Sequence, residues 1–246
     1  MILCFSGTGN SLSVARMLAD RLGDTVADIA SAGAIAAGGE RVIWVFPVYS
    51  WGLPPVVSEY IAAQTGMGDR PHYCVMTCGD DTGRADRLWR RAMRRAGATD
   101  LRGCWSVQMP NTYVLLPGFD VDTPAVARAK IDAAPARVDA IAALISRGSG
   151  VTDVVAGGMP WIKSYVVYPF FRRFMMSPRP FHATEGCVSC GKCARECPLG
   201  NIAMRGGAPQ WGRRCTLCLR CYHGCPRRAV GYGRATARKG QKPLTL

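Results

Sequence analysis

The sequence predicts an α/β protein built on an open, doubly wound parallel sheet with strand order 2-1-3-4-5, followed by a small α+β domain. Apolar runs alternate with helical patterns through the first 146 residues, as in sheets whose strands are joined by crossover helices. Residues 1–146 carry 14 basic and 14 acidic residues, whereas residues 147–246 carry 17 and 3. Eight of the 12 cysteines lie between Cys187 and Cys225. The chain therefore divides into two compositionally different parts.

Strands are predicted where apolar and β-branched residues cluster in short runs. The five predicted strands are Met1–Phe5, Thr25–Ile29, Val42–Phe46, Tyr73–Thr77 and Cys104–Met109. Helices are predicted where apolar residues recur every three to four positions. The four main predicted helices are Ser11–Leu22, Pro55–Gln64, Arg84–Ala96 and Pro124–Ser146. In a sheet of this order, ligands bind at the carboxyl edge, where the strand order reverses.

The domain division follows the changes in composition. Residues 1–146 form the predicted α/β domain and residues 181–233 the cysteine-rich domain. Between them, residues 147–180 contain a glycine-rich stretch and then an aromatic arm, which we expect to pack on the first domain. A helix lying on a membrane surface is the alternative for this arm, because Arg and Lys are interleaved with its aromatic residues. Residues 234–246 are basic and polar and are expected to be a disordered tail.

Several classes of protein are not expected. The chain begins with only about five apolar residues and no basic segment, which is too little for a signal peptide. No run of about 18 apolar residues predicts a membrane-spanning helix. A cytoplasmic protein is therefore expected, and in that compartment clustered cysteines indicate metal binding before they indicate disulfides.

The cysteines form the pattern C-x2-C-x2-C-x3-C-P twice, offset by 28 residues. Three thiolates at this spacing can each bind a different iron of one cubane cluster, while the fourth cysteine binds the other cluster. Zinc sites use paired cysteines and do not need a three-cysteine run. The pattern thus predicts two [4Fe–4S] clusters, here called the first and second cysteine sets. The first set is Cys187, Cys190, Cys193 and Cys225, and the second is Cys215, Cys218, Cys221 and Cys197.

Six arginines lie within or beside the two motifs: Arg195, Arg213, Arg214, Arg220, Arg227 and Arg228. Two interpretations remain open. The arginines either compensate the negative charge of the clusters or form a basic docking face for an acidic redox partner protein. Nucleic acid is not expected as a partner, because no nucleic-acid-reading motif accompanies the charge.

A phosphate loop is predicted directly after the first strand, where Ser6, Thr8, Gly9, Asn10 and Ser11 lead into a helix. Backbone N–H groups and hydroxyls at a helix N-terminus bind phosphate. The segment lacks the lysine of a P-loop and the G-x-G-x-x-G of a dinucleotide fold, and a monophosphate needs neither. The alternative is an ordinary turn whose helix is capped by Ser11.

Two further loops follow the third and fourth predicted strands at the same edge of the sheet. An isoalloxazine ring needs an aromatic wall and glycine-rich backbone along its edge, and these loops supply both. The residues predicted to frame the ring are Pro47, Tyr49, Trp51, Gly52, Thr77, Cys78, Gly79 and Gly83. Cys78 is expected to act through its backbone, and no catalytic residue is assigned. Asn111, Tyr113 and Arg84 are further candidates for approaching the ring or a substrate.

Residues 1–146 resemble flavodoxins, since Ser6–Ser11 matches their [ST]-x-T-G-x-[TS] phosphate loop, and residues 181–232 resemble the bacterial two-cluster ferredoxin module. The whole chain is similar to the flavodoxin–ferredoxin fusion proteins of anaerobic microbes. The resemblance implies a flavodoxin-like fold, one FMN and two [4Fe–4S] clusters. It departs from flavodoxins in charge, because those proteins are usually acidic.

The function expected from these cofactors is electron transfer, in which the chain links one-electron and two-electron redox partners. An FMN-dependent reductase of a small substrate, fed by its own clusters, is the alternative. A redox sensor is a third class. An electron carrier is favoured at this stage over a substrate-specific oxidoreductase.

Overall fold

The computed structural model describes residues 1–33, 40–65 and 67–242. Its central feature is a sheet of six strands in the order β2-β1-β3-β4-β5-β6, with every pair parallel. The strands are β1 Ile2–Cys4, β2 Val26–Asp28, β3 Val42–Pro47, β4 His72–Cys78, β5 Leu101–Gln108 and β6 Thr152–Asp153. The α/β class and the parallel sheet are thus confirmed. The order 2-1-3-4-5 holds for the five predicted strands and is extended by a sixth.

The sixth strand lies in the glycine-rich stretch after residue 146, where the sequence predicted no strand. β6 pairs with β5 through Cys104 and Trp105. The Arg137 guanidinium donates to the carboxylate and the carbonyl of Asp153 at 2.7 and 2.8 Å. The strand is short, polar and exposed, so the hydrophobic pattern used to predict strands could not detect it.

Helices cover both faces of the sheet. They are α1 Asn10–Leu22, α2 Pro55–Ala63, α3 Ala85–Arg95 and α4 Pro124–Ser146. α1 and α4 pack on one face, where Leu18 and Val138 are fully buried. α2 and α3 pack on the other, where Ile61 and Trp89 are fully buried. This two-sided cover explains why β3 and β4 read as unbroken apolar runs.

The aromatic arm forms one continuous helix over residues 160–175, called the arm helix below. α-Helical segments at Pro160–Ile162 and Tyr168–Phe170 alternate with π-helical turns at Lys163–Val167 and Phe171–Met175. Only part of its aromatic content packs on the sheet domain, as Tyr168 and Phe171 are buried while most of the other large side chains face outward. Among the described residues, no helix is both long and apolar enough to cross a bilayer.

The cysteine-rich part contains two antiparallel strand pairs and two short helices. β7 Phe181–Ala183 pairs with β10 Val230–Tyr232, and β8 Ile202–Arg205 pairs with β9 Ala208–Trp211. The helices are Lys192–Arg195 and Arg220–His223. A third apolar core joins this part to the loop after β5, because Val114 and Leu115 pack with Phe181, Leu217 and Tyr222.

The tail differs from its expected disorder as far as residue 242; residues 243–246 lie outside the described part of the chain. The Tyr222 hydroxyl donates to the Lys239 and Gly240 carbonyls at 3.1 and 3.2 Å. The Lys242 backbone N–H donates to Nδ1 of buried His223 at 3.1 Å. The tail contributes backbone groups to these hydrogen bonds, and such bonds cannot be read from its side-chain composition.

Candidate functional site

A cavity of about 340 Å³, called the large cavity below, lies at the carboxyl edge of the sheet. The loops after β1, β3, β4 and β5 surround it, so the sheet brings together segments that are far apart in sequence. Ten of the predicted ring- and phosphate-binding residues line it: Ser6, Thr8, Asn10, Ser11, Pro47, Tyr49, Trp51, Thr77, Cys78 and Gly79. A volume of this size is typical of small-molecule and cofactor sites.

The other three predicted residues, Gly9, Gly52 and Gly83, shape the loops around the cavity. Gly9 has φ 100° directly before α1, a conformation that favours glycine. A Cβ on Gly52 would lie 2.5 Å from the Tyr168 ring, and one on Gly83 would lie 2.6 Å from Ser164 Oγ. Both glycines therefore permit the close approach of the arm helix.

The phosphate loop is held by its own polar side chains. Ser6 Oγ accepts a hydrogen bond from the Gly9 N–H at 3.1 Å. Ser11 Oγ lies 2.7 Å from Thr77 Oγ1 inside the protein. Ser11 is the second residue of α1 and does not cap it, because Gly9 occupies the N-cap position without a side-chain bond. The first-turn N–H groups of α1 therefore remain available to an anion in the cavity.

A lysine from the tail reaches this loop, which the sequence did not indicate. Lys242 Nζ donates to Asn10 Oδ1 at 2.9 Å, and Asn10 Nδ2 donates to the Pro110 carbonyl at 2.8 Å. The cation at this position favours a bound anion.

The loop after β3 forms a tight turn with unusual backbone geometry. Ser50 and Trp51 have φ values of 44° and 64°, and Tyr49 and Gly52 exchange both backbone hydrogen bonds at 2.9 Å. Two consecutive non-glycine residues with positive φ are strained, and such strain concentrates at functional sites. The Trp51 carbonyl accepts from Ser164 Oγ at 2.8 Å, so the arm helix stabilises this wall.

The loop after β4 is joined to the arm helix by an ion pair near Trp51. Lys163 Nζ bonds Asp81 at 2.7 Å and lies 5.1 Å from the centre of the Trp51 ring. A Cβ on Gly79 would overlap the Asn111 amide, so these two residues are in direct contact. Burial raises the pKa of the Cys78 thiol to about 12. Cys78 is therefore a neutral thiol near pH 7, in agreement with a backbone role.

Sequence reasoning missed much of the remaining wall. It comes from the loop after β5, from the inner face of the arm helix and from the second cysteine set. Tyr113 packs edge-on against Phe119 and Phe171, with ring centres 5.7 and 6.0 Å apart. Asn111 and Tyr113, named earlier as candidates, line the cavity. Arg84 is not among its lining residues, and its backbone N–H donates to Ser164 Oγ at 2.7 Å.

The eight clustered cysteines separate into two groups in space. Cys187, Cys190, Cys193 and Cys225 line one small cavity, and Cys197, Cys215, Cys218 and Cys221 line another. These are the crossed first and second sets expected from the spacing. All eight are free thiols rather than disulfides. In each group, therefore, the fourth cysteine comes from the other motif.

Both groups repeat the same backbone conformation at the 28-residue offset. Ser189 and Gly191 have positive φ around Cys190, as Leu217 and Leu219 do around Cys218. Alternating left-handed residues turn consecutive N–H groups inward, which forms the concave nests found at iron–sulfur sites. The backbone N–H groups of Asn201 and Ala229 donate to Cys197 Sγ at 3.3 Å and to Cys225 Sγ at 3.2 Å. These bonds stabilise negative charge on sulfur.

A buried hydroxyl in the second group lacks a partner within the described residues. Thr216 Oγ1 lies between Cys215 and Leu217 and makes no hydrogen bond there. An unpaired buried hydroxyl is costly, and it indicates a hydrogen-bond acceptor other than the described protein atoms. Sulfur of a cluster in this cavity would be such an acceptor.

Among the described residues, no three His, Cys, Asp or Glu side chains are grouped as ligands of a single metal ion. The cysteine groups are wider than such a site. Each thiolate of a cubane cluster binds a different iron, so the thiolates stand around the cluster instead of converging on one ion.

The second cysteine set lies directly against the large cavity. Cys218 lines both spaces, and a Cβ on Gly7 would lie 2.5 Å from the Cys218 carbonyl oxygen. Arg220 donates to the Gly7 and Ser6 carbonyls at 2.7 and 2.8 Å. In contrast, Cys190 of the first set is exposed. The second set, and not the first, therefore contributes to the wall of the large cavity.

The fold and site define an α/β protein with a ligand cavity at the carboxyl edge of a parallel sheet and two adjoining cysteine cages. The sequence matches no family and no curated protein. The solved structures that are similar to it include two azoreductases. The azoreductase from Bacillus anthracis str. Sterne is 12% identical, with a TM-score of 0.38 over 58% of this chain and 98% of its own. Azoreductase AzrA is 14% identical, with a TM-score of 0.38 over 58% and 99%. Likeness at this level does not bear on function.

Proposed function

We propose that this chain is an FMN-dependent reductase that receives electrons through two [4Fe–4S] clusters of its own. The proposal depends mainly on one observation: the second cysteine set shares Cys218 with the wall of the large cavity. Electron transfer falls steeply with distance, so cofactors in adjoining cavities would exchange electrons readily. The expectation of a carrier between two proteins becomes the second candidate.

Each cysteine set fits a [4Fe–4S] cluster. Four thiols surround each small cavity, backbone N–H groups point at Cys197 and Cys225, and Thr216 offers an unpaired hydroxyl. Arg195 donates to the Cys190 carbonyl at 2.8 Å. Arg195 and Arg220 both bond backbone carbonyls within the protein. This fits the interpretation in which they compensate the negative charge of the clusters.

The large cavity fits FMN. Ser6, Thr8 and Ser11, with the first turn of α1 and Lys242, would hold its phosphate. The loops with Tyr49–Trp51 and Cys78–Gly79 would enclose the ring. When bound, the clusters would carry single electrons, and FMN would collect two and pass them to an acceptor.

The rest of the cavity wall favours a small acceptor. Leu116, Phe119, Val167, Phe171 and Met175 line it with apolar surface. Such a wall excludes water and fits a flat, apolar molecule that takes up two electrons from the flavin and two protons from solvent. A protein acceptor would instead need an open flavin edge, and here the arm helix and the loop after β5 cover part of the cavity.

The electron donor is proposed to be an acidic, one-electron redox protein that docks near the first cysteine set. Cys190 is exposed, and Val188 beside it is 59% exposed. Arg213, Arg214, Arg227 and Arg228 are exposed on this part of the protein. The same surface favours the second candidate, a carrier, if an acceptor protein docks there and no small molecule is consumed.

Cofactor content tests the assignment of the sites. Anaerobically purified protein should hold about eight irons and one FMN. Cys190→Ser should lose about half of the iron and keep the flavin, while Val188→Ser, a neighbouring exposed position, should keep both. Full iron in Cys190→Ser, or iron without flavin in the unaltered chain, would contradict the proposal.

Turnover separates the reductase from the carrier. With a chemical reductant and a small quinone as the acceptor, a reductase shows saturable turnover. Leu116→Trp fills the cavity and should lower kcat/KM by about tenfold at unchanged FMN content. Val126→Trp, on an exposed position of α4, should not. Turnover that is absent or insensitive to Leu116→Trp would favour the carrier.

A further inference from the structure

The arm helix exposes an unusual amount of apolar surface on its outer face. Met159, directly before the helix, adds to this surface. Met159, Trp161, Phe170 and Phe174 are 70%, 56%, 55% and 66% exposed. Ile162 and Val166 are exposed between them. Positions 159, 162, 166, 170 and 174 recur at intervals of three or four, so they form one stripe along the helix. Monomeric proteins rarely leave a continuous apolar stripe uncovered.

The inner face of the same helix is firmly attached to the sheet domain. Ser164 is fully buried and bonds both the Trp51 carbonyl and the Arg84 N–H. The Tyr168 hydroxyl donates to the Leu53 carbonyl at 2.8 Å, and Phe171 is buried. These contacts fix the rotation of the helix, so the apolar stripe cannot turn inward.

The charges around the stripe are of one sign. Residues 154–184 contain no Asp or Glu, and they contain Lys163, Arg172, Arg173 and Arg179. Arg172 and Arg173 are exposed beside Phe174. An amphipathic helix with Trp and Phe on one face and Arg beside it is typical of helices that lie in the interface of an anionic membrane.

We propose that the arm helix docks this protein on an anionic phospholipid surface, with the stripe from Met159 to Phe174 inserted among the acyl chains. The helix lies on the bilayer and does not cross it, since 16 residues with Pro169 and three basic residues are too short and too polar to span. Docking places the cavity beside the membrane, because Val167, Phe171 and Met175 of the same helix line it. This proposal does not depend on the proposed reductase activity.

The test is flotation of the cofactor-loaded full chain with vesicles of phosphatidylcholine containing 30% phosphatidylglycerol, compared with pure phosphatidylcholine. We expect binding to the anionic vesicles that falls at high salt. Phe170→Ser/Phe174→Ser should weaken it at least about tenfold, and Arg172→Glu/Arg173→Glu should weaken it on anionic vesicles. Val126→Ser/Ile131→Ser removes two exposed apolar side chains of α4 and should leave binding unchanged.

Folding and self-association are followed in the same samples. Each variant should keep the iron and flavin content of the unaltered chain, which excludes loss through unfolding. Absence of vesicle binding overturns the proposal. So does equal binding of the Phe170→Ser/Phe174→Ser and the Val126→Ser/Ile131→Ser variants. A dimer in sedimentation that only Phe170→Ser/Phe174→Ser dissociates, without vesicle binding, would assign the stripe to a second copy of this chain.

Discussion

Gly7 of the sheet domain lies in direct contact with Cys218 of the cysteine-rich part. A Cβ there would lie 2.5 Å from the Cys218 carbonyl oxygen and 2.9 Å from Cys218 Cβ. Both are parts of the loop that carries the second cysteine set, so neither can move without displacing that set. Glycine is therefore required at this position because there is no room for a Cβ atom.

Gly7→Ala should separate the two parts and reduce stability. Overpacking costs about 1–3 kcal/mol, and the phosphate loop and the second cysteine set must both shift. We expect a lower unfolding midpoint and weaker FMN binding, measured by thermal denaturation and flavin fluorescence. Gly150→Ala is the control, because a Cβ there meets nothing within 4 Å. Equal effects of the two substitutions would contradict this explanation.

His72 is a buried histidine whose two ring nitrogens are both engaged. Its side chain is fully buried, Nδ1 accepts from Trp44 Nε1 at 3.3 Å, and Nε2 faces the Met67 carbonyl at 3.4 Å. Burial lowers the pKa of His72 below its ordinary value of 6.5, while the carbonyl partly opposes that shift. The native protein therefore holds this imidazole neutral.

The lowered pKa of His72 predicts a loss of stability in mild acid. Below about pH 6.5 the unfolded chain binds a proton that the folded chain excludes, so the free energy of unfolding falls as the pH falls. His72→Asn cannot titrate, and its unfolding free energy should depend less on pH between 7 and 5. Denaturant titrations at several pH values measure both slopes. If the unfolding free energies of the unaltered chain and of His72→Asn depend equally on pH, His72 does not cause the loss of stability in acid.

At the scale of elements, the arm helix determines the shape of the cavity. Its inner face contributes the Ser164 and Tyr168 hydrogen bonds that hold the loop after β3. It also contributes Lys163, which bonds Asp81 of the loop after β4. One helix thus stabilises two loops that the sheet places side by side.

Tyr168→Phe should remove the hydrogen bond to the Leu53 carbonyl and leave that buried acceptor unpaired. The expected loss of unfolding free energy is about 1–2 kcal/mol. Tyr165→Phe is the control, because it makes the same chemical change on the same helix. The Tyr165 hydroxyl makes no hydrogen bond within the described residues, so its loss should change the free energy of unfolding by less than about 0.5 kcal/mol. Chemical denaturation measures both. A larger effect at Tyr165 would contradict the assigned role of Tyr168.

The tail is the second element whose position affects the site. Lys242 Nζ bonds Asn10 in the phosphate loop, and the tail backbone is held by the His223 ring and the Tyr222 hydroxyl. A cation there would contribute to holding a phosphate but not a sugar or a ring.

Lys242→Ala should therefore weaken FMN binding while leaving riboflavin binding unchanged. A charge-assisted hydrogen bond contributes about 1.5–3 kcal/mol, which corresponds to at least about tenfold in the dissociation constant. Lys239→Ala is the control, since Lys239 Nζ donates to the Phe119 carbonyl instead. Flavin fluorescence titrations of the apoprotein measure both ligands. Parallel losses for FMN and riboflavin would mean that Lys242 acts on the fold.

For the whole molecule, Arg220 joins the cysteine-rich part to the sheet domain. Its guanidinium bonds the Ser6 and Gly7 carbonyls and also lies 3.4 Å from the Glu196 carbonyl. Ser6 and Gly7 belong to the phosphate loop, so one side chain connects that loop with both cysteine motifs. The relative position of the proposed cofactors depends on this contact.

Arg220→Ala should slow internal electron transfer without removing cofactors. The two phosphate-loop carbonyls lose their donor, and the contact between the two parts loosens. We expect iron and flavin contents near those of the unaltered chain and a flavin reduction rate at least about tenfold lower when the protein is mixed with an electron-donating protein in stopped flow. Arg213→Ala, on an exposed arginine, should keep the rate. Loss of iron in Arg220→Ala would instead make Arg220 a folding residue.

The sequence by itself determined the features that depend on local patterns. The apolar runs specified β1, β3, β4 and β5, because buried parallel strands need apolar residues on both faces. The spacing of the cysteine motifs specified two groups of four, because short intervals limit which thiols can meet. The loops after β1, β3 and β4 were correctly placed beside one cavity, since parallel strands end at the same edge.

Only the tertiary structure decided which distant segments complete the site. Lys242 bonds Asn10, which is 232 residues away in the sequence. Tyr113 of the loop after β5 contacts Phe171 of the arm helix. No local period encodes such contacts, because they depend on how whole elements pack. The tertiary structure also decided β6. This polar segment is a strand because it pairs with β5, and its own sequence does not indicate a strand. The tertiary structure likewise decided which face of the arm helix is exposed. Aromatic residues occur all along this helix, and the surface that it packs against determines which of them are buried.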